Sequence, residues 1–162
     1  DALRITAGAN HTCAITSGAG PQARNIKCWG DNRGLQAGGV SSMDVIGAPR
    51  DVSGGLAPGA WVEIAAAAGH TCALDAAGEI WCWGDNRYGN ADPDPDGVWS
   101  GTSQRIEFDP PIDAVDIAAG DAMTCAIDRA GVWWCWGCLT PWMLLDDPSS
   151  CTVSAPTPVE PC

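Results

Sequence analysis

Nine cysteines stand among 162 residues, and six of them recur as pairs at a fixed place. Cys72 and Cys82 flank the stretch Asp75-Ala76-Ala77-Gly78 and are equidistant from Ala77. If the apolar runs 71–74 and 79–83 are strands folding back there, the two sulfurs oppose each other in a non-hydrogen-bonded antiparallel pair. Residues so placed are close enough for a disulfide. Cys125 and Cys135 repeat the arrangement about Ala130, and Cys13 and Cys28 repeat it around a loop five residues longer. Cys138, Cys151 and Cys162 remain. Cys138 with Cys151 is the favoured further pair. Cys162 is then odd, and it either bridges to another chain or is a thiol without a partner in this sequence. Zinc fits poorly: only Cys135-Trp-Gly-Cys138 has knuckle spacing, and only His11 and His70 could complete a site.

A second constellation is acidic. Asp92-Pro-Asp94-Pro-Asp96-Gly97 sets carboxylates at alternate positions ahead of a glycine. This is the first half of a calcium loop, in which hard oxygens surround the ion and the glycine permits a sharp turn. The position that would supply the closing glutamate is Ser103, with Glu107 nearby. Asp92, Asp94 and Asp96 are therefore either a calcium site or a solvated acidic turn stiffened by two prolines. His11 and His70 occupy one repeated position, which argues for one hydrogen bond made twice rather than for a catalytic pair. With the cysteines in disulfides, no Ser-His-Asp or Cys-His set can be assembled. The chain reads as not an enzyme.

These residues sit on three tandem copies of one unit. The copies are Leu3-Arg-Ile-Thr-Ala-Gly-Ala-Asn-His-Thr-Cys-Ala-Ile15, Val62-Glu-Ile-Ala-Ala-Ala-Ala-Gly-His-Thr-Cys-Ala-Leu74 and Val115-Asp-Ile-Ala-Ala-Gly-Asp-Ala-Met-Thr-Cys-Ala-Ile127. They align without a gap, and Cys13, Cys72 and Cys125 are spaced by 59 and 53 residues. Each copy runs on into a second motif: Ile26-Lys-Cys-Trp-Gly-Asp-Asn-Arg33, Ile80-Trp-Cys-Trp-Gly-Asp-Asn-Arg87 and Val132-Trp-Trp-Cys-Trp-Gly137. The repeats are taken as residues 1–59, 60–112 and 113–162. A period of this length implies a propeller blade or a similar repeat unit. The 20 glycines and 12 prolines favour short strands joined by turns. Gly78 falls in the hairpin turn, where a positive φ is expected. Asp31-Asn32 and Asp85-Asn86 follow the Trp-Gly strands, where their side chains are expected to cap a loop. Arg33 and Arg87 would pair with local carboxylates.

The two motifs in order resemble the regulator of chromosome condensation repeat family, over essentially the whole chain. The cysteine-bearing version resembles its secreted bacterial branch. The resemblance implies an all-β fold, a β-propeller whose blades are four-stranded antiparallel sheets, usually about seven of them. Family functions do not transfer by fold. One branch senses ultraviolet light through a tryptophan cluster, and its Gly-Trp-Arg-His-Thr signature is absent here. The third copy departs from the pattern: Met123 replaces histidine, and Gly137 is followed by Cys138-Leu-Thr-Pro.

Three blades do not close a ring, which needs about four to eight. Exposed blade edges invite pairing. The expectation is an extracellular, non-enzymatic module completed by copies of itself or by further repeats, as a dimeric ring or a filament. The alternative is a secreted binding or inhibitor propeller that recognises another protein through its loop face. Trp99, Trp142, Met143 and Leu144 lie outside the repeated core positions and form a candidate contact surface. The formal net charge of −12 makes nucleic acid a poor partner. No apolar run approaches the roughly 18 residues of a spanning helix. The chain opens at Asp1 inside a repeat, without an initiator methionine, and reads as a processed or trimmed segment of a secreted protein.

Overall fold

The computed structural model describes residues 1–20, 23–39, 45–52, 56, 59–92, 99–138 and 153–159. Its regular structure is all β. The first sheet holds β1 (Ala2–Ala7), β2 (His11–Ser17), β3 (Arg24–Asp31) and β4 (Val45–Asp51). The second holds β5 (Trp61–Ala66), β6 (His70–Asp75), β7 (Ile80–Asp85) and β8 (Trp99–Arg105). The third holds β9 (Ala114–Ala119), β10 (Met123–Asp128), β11 (Trp133–Cys138) and β12 (Val153–Val159). Each sheet is an antiparallel meander whose spatial order follows the chain. These are propeller blades, three in number, and none of the described residues lies in a helix able to cross a membrane.

The hairpins are set by their turns. Asp75 accepts main-chain N–H bonds from Ala77 and Glu79 through Oδ1, and Gly78 takes a φ of +82°. Asp128 does the same for Ala130 and Val132, with Gly131 at +84°. An aspartate that satisfies two turn N–H groups fixes where the chain reverses. The register that follows places Cys72 opposite Cys82, Cys125 opposite Cys135 and Cys13 opposite Cys28. All three pairs are bonded, at Cα separations of 4.1 Å.

The Trp-Gly motif ends each third strand with a bulge. Pairing shifts register between Cys82 and Gly84, and likewise at Gly30 and Gly137. Gly84 has a φ of +112°, and a Cβ there would stand 2.6 Å from the Gly69 carbonyl oxygen. Only glycine allows this approach, which lets the Asp85 N–H bond the Gly69 carbonyl and turns the chain into the Asp-Asn-Arg loop.

Two apolar seams hold the blades together. Between the first and second lie Cys13, Ile15, Ile26 and Cys28 on one side and Ile64, Ala73 and Trp83 on the other. Between the second and third lie Cys72, Leu74, Ile80 and Cys82 against Ile117, Ala126 and Trp136. The same positions recur, so one interface is built twice. The middle blade is covered on both faces, and five consecutive residues of β6 are buried. In the third blade β10 alternates between buried and half-buried, the pattern of a strand covered on one face.

Candidate interaction surfaces

The histidines occupy the seams, not a pocket. His11 Nε2 lies 2.7 Å from Thr71 Oγ1, across the boundary between the first and second blades. The Thr71 hydroxyl donates to the Gln36 carbonyl at 2.9 Å, and the Trp83 indole N–H donates to the same oxygen at 3.0 Å. The next boundary repeats this: His70 to Thr124 at 2.7 Å, Thr124 to the Asn90 carbonyl at 2.9 Å, and Trp136 to that carbonyl at 3.1 Å. A hydroxyl has one hydrogen, so each threonine that donates to a carbonyl must accept from the imidazole. This assigns the proton to Nε2 in both rings. Each clasp thus runs from the histidine and loop of one blade to the threonine and tryptophan of its successor.

The two clasps differ at Nδ1. His70 Nδ1 accepts a 2.7 Å bond from the Asn90 amide. Gln36 holds the equivalent position in the first blade, but its Oε1 accepts from the Gly34 N–H. Nδ1 of His11 has no partner among the described residues. Burial pushes both imidazoles down to about 4, against an opposing pull from Asp31 on His11 and from Asp85 on His70. Both are neutral at physiological pH and serve as seam hydrogen bonds. The repeated position pointed to one bond made twice. The identity of the partner was missed, although the sequence carried a signal. Threonine follows the histidine position in all three copies, while the third copy carries Met123 in place of the histidine.

The Asp-Asn-Arg loops line an open cleft of about 470 Å³ with Asp31, Arg33, Gln36, Asp85, Arg87 and Asp121. Asp31 caps its own turn by accepting the Arg33 N–H, and the Arg33 guanidinium holds its carboxyl below the usual range. Asp85 and Arg87 repeat the pairing. The buried Asn32 and Asn86 accept main-chain N–H bonds five residues on, from Ala37 and Ala91.

Of the other candidate residues, Cys138 is disulfide-bonded, while Cys151 and Cys162 lie outside the described residues. The Asp92 N–H donates to Asn86 Oδ1. Asp94 and Asp96 lie outside the described residues, as do Trp142, Met143 and Leu144. Trp99 opens β8, where its backbone pairs opposite Asp85. Among the described residues, no group of three His, Cys, Asp or Glu side chains is placed to hold a metal ion.

Among the described residues, large apolar side chains are exposed on both outer blades. On the first blade Leu3 and Ile5 are exposed; on the third, Val115, Val132 and Trp133 are.

Residues 61–90 match the family model described as Regulator of chromosome condensation (RCC1) repeat. No curated protein matches the sequence. Among solved structures, the fold is similar to human WBSCR16, with a TM-score of 0.81 and 17% identity over 99% of this chain and 38% of that one. Yeast RCC1 (Prp20), solved with Kap60 bound, gives a TM-score of 0.78 at 18% identity over 99% of this chain and 37% of that one. Prp20p from Saccharomyces cerevisiae, described with its binding properties to Gsp1p and histones, gives 0.75 at 18% identity, covering 99% and 38%. The chain therefore spans less than two fifths of the length of these structures.

Proposed function

We propose that this chain, whose second blade is a regulator of chromosome condensation (RCC1) repeat, is a non-enzymatic extracellular interaction module that assembles with copies of itself. The observation that carries the reading is the exposure of apolar side chains on the first and third blades. Ile5 is 70% exposed, while Ile64 and Ile117, its counterparts in the second and third blades, are 4% and 7% exposed. Apolar side chains at positions that blades otherwise bury mark a surface that takes a partner. Three disulfides between described cysteines, with Cys138 also bonded, support an oxidising compartment. Both histidines are engaged in seam hydrogen bonds, which argues against their use as acid–base groups.

A second reading is a binding or inhibitor module that meets another protein through the loop face. The paired Asp31–Arg33 and Asp85–Arg87 groups around the cleft favour it. The structure of yeast RCC1 with Kap60 bound is a precedent for protein partners on this fold. Calcium at Asp92, Asp94 and Asp96 is a subsidiary proposal, and calorimetric titration with calcium chloride tests it.

Light scattering under native conditions, with and without reductant, tests the main reading. A dimer or an open polymer supports assembly, and dissociation by reductant assigns the contact to an intermolecular Cys162 bond. A monomer at all concentrations sinks it.

A further inference from the structure

We infer that the seam between the first and second blades is a proton-operated latch: acid parts the two blades at the His11–Thr71 clasp, along the seam that the loop-face cleft spans.

The two seams are built alike, but only one of the two imidazoles is fully held. Asn90 reaches His70 Nδ1 from a position four residues beyond Asn86. Gln36 stands four residues beyond Asn32, and its longer side chain is spent elsewhere, on the Gly34 N–H and the Asp31 carboxylate. Gly8 packs over the ring so closely that a Cβ there would stand 2.9 Å from His11 Nδ1 and closer still to the Ala67 carbonyl oxygen. That nitrogen is therefore walled in by backbone. It belongs to a residue only 3% exposed, and it has no partner among the described residues.

Nδ1 is where a second proton must go, because Nε2 already donates to the threonine. A proton on His70 Nδ1 finds an acceptor. A half-turn of the Asn90 amide brings round Oδ1, which is unpaired among the described residues. A proton on His11 Nδ1 finds none, and the closed seam then holds a buried cation with an unsatisfied N–H. The groups that face His11 electrostatically are Asp31, at the end of β3, and His70, on β6. Asp31 favours the cation, but its carboxylate is committed to Arg33, and burial outweighs it. Arg4 of β1 and Glu63 of β5 pair with each other. Parting the blades lifts the burial, so the open seam binds the proton that the closed seam refuses.

The opening has a pivot. β1 and β5 lie side by side. The Ala9 N–H donates to the Ala67 carbonyl at 3.3 Å, and the Ala66 N–H donates to Thr6 Oγ1 at 3.2 Å. Neither bond contains a titratable group. The clasp lies one strand further out, on β2 and β6, so the blades turn about the first-strand bonds and separate at the clasp. Asp31, Arg33 and Gln36 line the cleft from the first blade, and Asp85 and Arg87 line it from the second. Separation moves the two Asp–Arg pairs apart. On the loop-face reading above, a partner then meets a cleft whose width follows pH; the latch itself does not depend on that reading.

Each seam carries its own reporter, since the Trp83 indole N–H donates across the first and the Trp136 indole N–H across the second. Their hydrogen exchange, followed by NMR on the whole chain and divided by that of N-acetyltryptophanamide in the same buffer, gives a protection factor for each seam. From pH 7 to pH 5, Trp83 should lose protection roughly twentyfold, and Trp136 about fivefold less. His11→Gln keeps a donor for Thr71 and removes the proton site, so Trp83 protection should cease to follow pH. Gln36→Asn gives the first seam the amide of the second and should bring the two indoles to the same response. It copies a residue the second blade already uses, and it carries the test if His11→Gln does not fold. Equal losses at the two indoles of the parent overturn the latch. So does a pH response at Trp83 that survives His11→Gln, or one that Gln36→Asn leaves unchanged.

Discussion

His70 and Thr124 belong to different blades, and their side chains meet 2.7 Å apart in a fully buried site. The threonine has no spare hydrogen, because it donates to the Asn90 carbonyl. Thr124→Val keeps the shape and removes the hydroxyl, leaving a buried imidazole N–H without an acceptor. It is expected to cost about 1–3 kcal/mol in urea unfolding. Thr12→Val makes the same change at a half-buried threonine, both histidines being bonded to Thr71 and Thr124 instead, and is expected to stay within about 0.5 kcal/mol. Equal losses at the two positions would contradict the clasp.

The histidines give the chain an acid-sensitive stability. Both fall to about 4 in the folded state from an ordinary 6.5, so the unfolded chain binds more protons between those values. Stability is complete above pH 6.5 and is lost as pH falls towards 4, by roughly 3 kcal/mol for each histidine. The paired carboxylates Asp31 and Asp128 sit below their ordinary 3.8 and hold their contribution throughout that window. Melting temperatures from pH 7 to 4 should therefore fall steeply, and His70→Gln should remove about half of the slope while lowering stability at pH 7. A profile flat over this range would show that the imidazoles are not held neutral.

Much of this was legible in the residues. The blade hairpins followed from period, turn residues and cysteine symmetry, because the physics that places them is local. Asp75 and Gly78 make the turn, and the turn sets the register of Cys72 and Cys82. The seam partners were not legible, because they lie 54 and 60 residues apart in sequence and depend on how one sheet rotates over the next. His11 and His70 were visible as a pair; that their partners are Thr71 and Thr124 was a matter of blade-to-blade packing. Nor did the sequence reveal that Gln36 and Asn90, at equivalent positions, would treat their neighbouring imidazoles differently.

Each hairpin disulfide should contribute separately. Cys72 and Cys82 close a loop spanning 10 residues, and Cys13 and Cys28 one spanning 15. On the chain-entropy account each is worth about 3 kcal/mol. Replacing Cys72 and Cys82 together by serine should lower the urea midpoint accordingly. The loss should exceed that of the Cys125/Cys135 double variant, since the Cys72–Cys82 disulfide is fully buried in the seam with the third blade whereas Cys125 is half-buried. The reverse order would argue against the seam as described.

Two glycines separate steric need from backbone preference. Gly84→Ala must place a Cβ 2.6 Å from the Gly69 carbonyl oxygen at a φ of +112°. Gly131→Ala has a φ of +84° and meets nothing within 4 Å. The second should cost about 1 kcal/mol for its conformation alone, and the first about 3 kcal/mol or more, since backbone must shift. Equilibrium unfolding of both variants checks the order.

The three disulfides formed by pairs of described cysteines each stay inside one blade, whereas among the described residues the seams between blades are held by packing, hydrogen bonds and the Arg4–Glu63 ion pair. Under tension the molecule has weak joints and locked segments in alternation. A pull on its two ends parts the blades at the seams, and within each blade the stretch between bonded cysteines cannot be drawn out. The contour length released is set by the residues outside those loops. Reductant lengthens each step, so a chain anchored at both ends would change its extensibility with the redox state of its surroundings.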